Sequence, residues 1–292
     1  MAINIAFYII VTGAIYLLVS LSFYKIYQST KYFYLTQSTI VSLGAYLSYY
    51  FFIELKLSLI ISIVISIIIS TFIGILTEFC IYKPMRKNGL PPFAFLIVSI
   101  GLYTVMQNCI SLYFGDDTKT INTSEVTIVH EFFGAYITTT QIVTIIVSLT
   151  LFLTMYLLYN YTKLGKQIRA VSENSELSNV YGICSDKIIL ICFGIGSGLG
   201  AIAGILYAYD TNLTPTMGFN LLMYGIVAMI IGGVGSFRGL LFGSLLLATA
   251  QNLVAYYLDT KWMDATTYVI LIAFLLWKPL GFSGKRLKKI EL

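Results

Sequence analysis

The chain has 292 residues, of which 58% are hydrophobic and only 11% are charged. A soluble domain carries about 25% charged residues, so this composition excludes a soluble globular protein and predicts an integral membrane protein. The net charge is +5, but the basic residues lie at the ends of apolar runs, which argues against nucleic acid binding. The four cysteines have no CxxC spacing, so neither a disulfide framework nor a metal site is predicted.

Nine apolar runs approach or exceed the length that crosses about 30 Å of hydrocarbon. In chain order they cover about residues 3–23, 35–53, 57–81, 93–114, 140–160, 188–208, 221–235, 239–258 and 265–282. The runs at 35–53 and 221–235 are short or interrupted by polar residues or glycines, so they are candidates for broken or re-entrant helices. We therefore predict one all-α transmembrane domain over residues 1–292, with about eight or nine transmembrane helices.

Most of the 18 lysines and arginines fall on the loops of one face if all nine runs cross the membrane. The positive-inside rule assigns that face to the cytoplasm, with the N-terminus outside and the C-terminus inside. This orientation defines a cytoplasmic loop at about residues 163–187 and a polar external loop at about residues 115–139. The external loop is either a plain solvated connection or a contact site for an external partner.

The cytoplasmic loop at 163–187 is basic and amphipathic. Two apolar stripes occur along it, separated by a polar break: Leu164, Ile168 and Val171, then Leu177 and Val180. Gly182 follows the second stripe and predicts a helix end. A segment of this kind is either a docking site for a partner or an ordinary connector between two membrane helices, and periodicity leaves both interpretations open.

Small residues recur every four positions in the second half of the chain. Two series of glycines have this spacing: Gly196, Gly200, Gly204 and Gly235, Gly239, Gly243. Small residues at this spacing let helix backbones approach closely in lipid, so we predict two closely packed helices. A direct role of these glycines in a solute path is the alternative.

Several motifs of soluble and membrane enzymes are missing from the sequence. There is no G-x-x-x-x-G-K-[ST] motif, so any ATP hydrolysis is expected in a separate subunit. His130 is the only histidine, and no H-E-x-x-H motif or pair of intramembrane carboxylates occurs. Glu78 lies near a helix end. We expect it to form an ion pair with Lys83 or Arg86, and a buried functional charge is the alternative. We therefore do not predict an enzyme.

In order and spacing, the motifs of the chain resemble those of permease subunits of ABC importers for branched-chain amino acids, a family that also includes urea and short-chain amide permeases. The resemblance runs almost end to end. The main motifs that show it are T-G-A-I-Y at 12–16, G-A-Y at 44–46, T-E-F-C-I-Y-K-P-M-R at 77–86, S-I-G-L-Y-T-V-M-Q-N at 99–108, T-K-L-G-K-Q-I-R-A-V-S-E-N at 162–174, I-G-G-V-G-S at 231–236 and W-K-P-L-G-F-S-G at 277–284.

The resemblance implies a cytoplasmic coupling helix that seats in a groove of the ATP-binding subunit. The residues assigned to this coupling role are Gly165, Arg169, Ala170, Glu173, Leu177 and Gly182. It also implies a second homologous permease subunit, two ATP-binding subunits on the cytoplasmic side, an external solute-binding protein and a place in the bacterial inner membrane. No cofactor is implied. The chain would be the first of the two related permeases.

One segment departs from the family pattern. Family members usually carry N-F-A-H-G-E just ahead of G-A-Y, whereas residues 34–39 here are Y-L-T-Q-S-T. The resemblance implies a branched-chain amino acid as the solute, and this departure leaves urea, an amide or another small polar solute open. Polar residues and glycines at membrane depth are the path candidates: Gln37, Gln107, Asn108, Gly232 and Gly233. Each of them could instead satisfy a neighbouring polar group.

A stand-alone secondary transporter or channel is the alternative function, since it would share the helices, glycines and short segments. Such a carrier has no need of an ATPase-docking helix and more often places a coupling carboxylate in the middle of the membrane. The cytoplasmic loop at 163–187 therefore favours the ABC permease.

Overall fold

A computed structural model describes residues 2–121, 129–132, 135–278 and 281–282. Within these ranges the chain is almost entirely helical. The helices in chain order are α1 (Ala2–Thr30), α2 (Gln37–Tyr49), α3 (Leu59–Thr77), α4 (Lys83–Lys87), α5 (Pro92–Phe114), α6 (Thr139–Tyr161), α7 (Lys163–Glu173), α8 (Ser175–Val180), α9 (Ser185–Asp210), α10 (Met217–Gly232), α11 (Phe237–Tyr257) and α12 (Met263–Trp277). Short π-helical turns extend α2 over Tyr50–Glu54 and join α3 to α4 over Glu78–Tyr82, and a 3-10 turn over Thr260–Trp262 precedes α12.

Six helical stretches of the described chain are long and apolar enough to cross a membrane. They are Ile3–Thr30, Leu59–Lys87, Pro92–Phe114, Thr139–Tyr161, Ser185–Asp210 and Phe237–Tyr257. The α10 helix has 16 residues, so at 1.5 Å per residue it extends only about 24 Å and is shorter than the hydrocarbon core. The α2 and α12 helices are also short, with 13 and 15 residues. The eight or nine crossings and the orientation of the termini therefore stay predictions.

Helix α1 extends beyond the predicted end of the first apolar run at residue 23. It continues through Lys25 to Thr30, and Lys31 then takes a left-handed conformation with φ of 63°. A non-glycine residue in this region marks a forced change of chain direction. Residues 24–30 contain no proline or glycine that would stop a helix, so α1 continues past the end of the predicted apolar run.

The centre of the fold is a pair of buried helices, α1 and α9. In their most apolar stretches 61% of α1 and 67% of α9 is buried, compared with 17% of α5 and 11% of α6. Helices α2, α3, α10 and α11 pack around the central pair. Helices α5 and α6 therefore form the outer surface of this subunit, where lipid or another protein must cover them.

The glycines of α9 lie where neighbouring backbones come closest. A Cβ atom added to Gly196 would lie 2.9 Å from the main-chain oxygen of Ser22 on α1, and one added to Gly204 would overlap the main-chain oxygen of Val41 on α2. From the other side, a Cβ added to Gly44 of α2 would lie 2.7 Å from the Cα of Ala201. These positions let α1 and α2 approach α9 at backbone contact.

A second close contact joins α10 to α11. Cβ atoms added to Gly232 and to Gly239 would each overlap the main-chain oxygen of the other residue, and one added to Gly243 would overlap the main-chain oxygen of Ala228. The chain turns between the two helices at Gly233 and Gly235, which have positive φ values of 96° and 110°. Gly239 and Gly243 of the predicted series thus bring α11 to backbone contact with α10, whereas Gly235 serves the turn.

The predicted external loop contains more regular structure than a plain solvated connection. Val129–Phe132 and Ala135–Thr138 form an antiparallel hairpin, β1 and β2. Lys119 exchanges two main-chain hydrogen bonds of 3.0 and 2.7 Å with Leu213, which lies between α9 and α10. Residues 122–128 and 133–134 of the loop lie outside the described residues, as do the basic residues of the C-terminus, Lys285, Arg286, Lys288 and Lys289.

Candidate functional site

The candidate coupling segment, residues 162–183 between α6 and α9, consists of two short helices capped by their own side chains. The Thr162 hydroxyl accepts a hydrogen bond of 3.1 Å from the Gly165 amide at the start of α7, and the Asn174 side chain accepts one of 2.9 Å from the Leu177 amide at the start of α8. Asn174 is in an extended conformation, so the polar break seen in the sequence turns the chain between the two helices.

The predicted helix end at Gly182 is confirmed. Gly182 has a φ of 80°, its amide donates to the Asn179 carbonyl, and the Ile183 amide donates to the Ser178 carbonyl, both at 3.0 Å. These bonds form a Schellman motif, in which glycine supplies the left-handed residue after the last helical turn.

The inner face of α7 packs on the membrane domain. Ile168 and Val171 are buried and Leu164 is half-buried, so the first predicted apolar stripe is confirmed as one packing face. Gly165 is buried against the end of α6, where an added Cβ would overlap the main-chain oxygens of Leu158 and Tyr159. A side chain at position 165 would therefore lift α7 off α6.

Arg169 also points toward the membrane domain. Its guanidinium donates a hydrogen bond to the main-chain oxygen of Tyr159 and lies 5.0 Å from the centre of the Tyr159 ring. Ala170 is half-buried beside it. Two of the six residues assigned to coupling, Gly165 and Arg169, thus fix α7 to the membrane domain.

The other three coupling candidates, Glu173, Leu177 and Gly182, are exposed. Leu177 is 52% exposed, and its neighbours Val180 and Tyr181 are 81% and 78% exposed. We call Leu177, Val180 and Tyr181 the α8 apolar surface. Val180 and Tyr181 were not among the coupling candidates, although their apolar side chains in a polar segment were the available signal. Three exposed apolar side chains on one short polar segment are typical of an interaction site.

Glu173 lies near the end of α1. Desolvation lowers the pKa of the Lys31 ammonium from its ordinary value, and the negative charge of Glu173 acts against that shift. The charge of the coupling segment thus acts electrostatically on the left-handed residue that ends α1.

An ion-pair network ties the α3–α4 unit to the start of α9. The Arg86 guanidinium lies 2.7 Å from a Glu78 carboxylate oxygen and 3.2 Å from the Asp186 carboxylate, and Lys83 lies 3.8 Å from Asp186. This arrangement confirms the predicted ion pair of Glu78. Since α9 begins directly after the coupling segment, the network fixes one end of that segment to the membrane domain.

Lys25 is the functional candidate that the sequence analysis missed. Its side chain is 1% exposed, and its ammonium has no hydrogen-bond partner among the described residues. The ammonium lies 4.4 Å from the centre of the Tyr159 ring, 4.5 Å from that of Phe237 and 5.7 Å from that of Tyr24. We call these three rings the Lys25 cage. The positive-inside rule counts this lysine with the cytoplasmic loops, since a lone charge after an apolar run usually marks a membrane boundary, whereas the structure places it inside α1.

The five path candidates lie on or at the end of three different helices, α2, α5 and α10. Gln37 is buried, and its amide donates to the Gly196 main-chain oxygen at 2.9 Å, so it seals the contact between α2 and α9. Gly232 lies in the contact between α10 and α11, and Gly233 caps α10. These contacts favour a packing role for Gln37 and Gly232.

Gln107 and Asn108 lie on the outer helix α5. Asn108 is exposed and donates a 2.7 Å hydrogen bond to the Thr104 main-chain oxygen of its own helix. Thr104 is also exposed, and Gly101 has no neighbouring atom within 4 Å of a Cβ added to it. We call Gly101, Thr104 and Asn108 the α5 polar face. It lies near the middle of a membrane-spanning helix without cover from the described part of the chain.

The segment at 34–39, which departs from the family pattern, is tied into the interior. The Tyr34 hydroxyl lies 2.9 Å from that of Thr77 on α3, and the Thr36 amide donates to the Ser99 hydroxyl on α5 at 3.1 Å. The Thr36 hydroxyl also lies 3.2 Å from that of Tyr82. In this conformation these side chains therefore bond to one another and to neighbouring helices.

The described residues contain no group of three or more His, Cys, Asp or Glu side chains that could hold a metal ion. The four cysteines are free thiols.

Comparison with known proteins gives a consistent family match. The family model described as the permease component of branched-chain amino acid transport systems matches residues 5–276. The high-affinity branched-chain amino acid transport system permease protein LivH of Salmonella typhimurium is 32% identical over 209 residues, which cover 70% of this chain and 67% of that protein. The corresponding protein BraD of Pseudomonas aeruginosa is 30% identical over 218 residues, covering 73% of this chain and 70% of its own length.

A solved structure shares the fold at low sequence identity. One chain of the structure described as PsaBC from Streptococcus pneumoniae in complex with Fab matches with a TM-score of 0.54 and 11% identity. The match covers 91% of this chain and 89% of that chain. At this identity the similarity concerns the arrangement of helices only.

Proposed function

Because the chain belongs to the family of branched-chain amino acid permease components of ABC transporters, multi-pass proteins of the bacterial inner membrane, we propose that it is the membrane-spanning subunit of an ATP-driven importer. The proposed solute is a branched-chain amino acid, in keeping with the names of the two relatives. The exposure of the α8 apolar surface is the observation that carries the proposal, since a stand-alone carrier would have no use for it.

The proposed partner at this surface is an ATP-binding subunit. The coupling segment is fixed to the membrane domain by Gly165 and Arg169, and it presents Leu177, Val180 and Tyr181 outward. An anchored helix pair with an exposed apolar tip fits a groove on another protein and transmits movement of that protein to α6 and α9. Two such subunits are proposed, one for each permease.

A second, homologous permease is the proposed cover for the α5 polar face. An exposed asparagine near the middle of a membrane helix is unfavourable in lipid, so such residues usually face a protein contact or a water-filled cavity. We propose that the second permease packs against α5 and that Gln107 and Asn108 line the solute path between the two subunits.

An external solute-binding protein is proposed to deliver the solute to the side opposite the coupling segment. Its proposed contact is the loop at about 115–139, whose described part is tied to the α9–α10 connection through Lys119 and Leu213. A binding protein that releases its solute above the permease pair would separate selectivity from translocation.

In the proposed mechanism, ATP binding closes the pair of ATP-binding subunits and moves the two coupling segments together. Because the closed pair binds one permease conformation better than the other, it shifts the permease pair from inward-facing to outward-facing. Hydrolysis and opening of the pair then return the permeases to the inward-facing state.

The test is purification of the tagged chain from its own host in mild detergent, with identification of the proteins that remain bound. Recovery of a P-loop ATPase and a second permease supports the proposal. The purified complex is then reconstituted into liposomes, and uptake of labelled leucine is measured with the binding protein, with and without ATP. Recovery of the chain alone, together with solute flux that does not depend on ATP, would identify a stand-alone carrier or channel.

A further inference from the structure

We propose that Lys25 is a positioning residue that couples movement of α7 to the central helix α1, through the ring of Tyr159. The inference rests on the proposed function, since it concerns how the coupling segment drives the membrane domain. It assigns to Lys25, Tyr159 and Phe237 a role that the family motifs at 162–174 do not include.

Two cations on different helices share one aromatic ring. The Arg169 guanidinium of α7 and the Lys25 ammonium of α1 lie 5.0 and 4.4 Å from the centre of the Tyr159 ring. The Tyr159 hydroxyl also accepts a hydrogen bond from the Gln28 amide of α1. Tyr159 is thus held by α7 through its main-chain oxygen and its ring, and by α1 through its ring and its hydroxyl.

The Lys25 cage also joins this pair to α11. The Phe237 ring lies 5.0 Å from the Tyr159 ring and 5.6 Å from the Tyr24 ring, measured between their centres. Since Phe237 is the first residue of α11, the cage connects the coupling segment to α1, α6 and α11 at one point. A shift of α7 that moves Tyr159 must therefore move Lys25 or break its contacts with the rings.

A lysine at position 25 indicates a role other than stability, because the stability of the fold does not require a charge there. A buried ammonium without an anion is unfavourable, and an apolar side chain of similar length would fill the same space. Among the described residues, no carboxylate lies within ion-pair distance of Lys25. Aromatic rings are then the groups that stabilise the cation, and cation–π attraction depends on ring position. The charge thus makes the packing of α1 sensitive to where Tyr159 lies.

The experiment compares Lys25→Met with wild type in the reconstituted complex. We expect the variant to assemble normally and to have unchanged or higher thermal stability, because the buried charge is removed. We expect the number of solute molecules imported per ATP hydrolysed to fall by about tenfold, since a desolvated cation–π contact has an effect of that size. A purely structural role would lower stability and leave that ratio unchanged. Lys261→Met, in the exposed 3-10 turn before α12, serves as the control and is expected to behave as wild type.

A second pair of variants keeps the test decisive if Lys25→Met fails to assemble. Tyr159→Phe retains the ring, whereas Tyr159→Leu removes it. The proposal therefore requires that the Tyr159→Leu complex imports fewer solute molecules per ATP than the Tyr159→Phe complex. Two outcomes overturn this inference and leave the proposed function standing. One is an equal number of solute molecules imported per ATP in these two variants, and the other is the wild-type number in an assembled Lys25→Met complex. Absence of ATP-dependent import by the wild-type complex overturns the proposed function, and the inference with it.

Discussion

The guanidinium of Arg86 lies 2.7 Å from the carboxylate of Glu78, whose side chain is only 1% exposed. This ion pair connects the π-helical turn after α3 to α4, and Arg86 continues it to Asp186 at the start of α9. Two segments far apart in the sequence are thereby fixed to each other beside the coupling segment.

Removal of Arg86 is expected to destabilise the subunit. Arg86→Met leaves the buried Glu78 carboxylate without its cation, which should lower the free energy of unfolding by about 2 kcal/mol or more. The measurement is denaturation of the purified subunit in detergent. The double variant Glu78→Gln with Arg86→Met should recover part of the loss, because no uncompensated charge remains. Lys83→Met is the control, since its 3.8 Å contact with Asp186 is partly exposed and should contribute at most about 1 kcal/mol. Equal losses for Arg86→Met and Lys83→Met would contradict this assignment.

Gly204→Ala is expected to disrupt the contact between α9 and α2. The added methyl group would overlap the Val41 main-chain oxygen, and overpacking of this kind costs about 1–3 kcal/mol. Gly101→Ala on α5 is the matched control, because no atom lies within 4 Å of its added Cβ. That variant should change stability by no more than about 1 kcal/mol, in the stabilising direction that alanine favours in a helix. Thermal unfolding of the two variants side by side checks this, and an unaffected Gly204→Ala would show that the two helices can separate freely.

Val180→Asp is expected to abolish binding of the ATP-binding subunit without affecting the fold. The side chain is 81% exposed, so the substitution should change stability by no more than about 0.5 kcal/mol. A charge at the centre of a desolvated contact should weaken binding by at least about tenfold. Co-purification of the ATPase is measured, with Gln167→Asp, which adds the same charge to the exposed side of α7, as the control. Loss of binding in both variants would point to a general charge effect.

Asn108→Leu is expected to lower solute uptake while the subunit inserts normally. Leucine is more favourable than asparagine at membrane depth, so stability of the isolated subunit should be unchanged or higher. Uptake should fall by about tenfold if the side chain lines the path, since a lost polar contact has an effect of this size. Thr154→Leu on the exposed face of α6 is the control, because Thr154 bonds to the Thr150 main-chain oxygen and faces outward. Wild-type uptake by Asn108→Leu would remove α5 from the proposed path.

The sequence alone determined the helices that have strong local signals. The apolar runs at 93–114, 140–160, 188–208 and 239–258 correspond to α5, α6, α9 and α11 within three residues at each end, because hydropathy, proline and glycine act within a few residues. The first stripe of the coupling segment and the helix end at Gly182 were predictable for the same reason. The family was also recognisable from motif order, since short motifs keep their spacing along the chain.

Only the tertiary structure decided which side of each helix faces which neighbour. Lys25 could not be recognised as buried, because its cage is formed by rings 134 and 212 positions later in the chain, Tyr159 and Phe237. Gln37 was a path candidate from its polarity, and its contact with the Gly196 oxygen depends on how α2 packs on α9. The contact of Arg169 with Tyr159 and the exposure of Val180 and Tyr181 likewise depend on how the coupling segment packs on α6. A sequence pattern specifies the faces of a helix, but burial depends on the distant segments that cover each face.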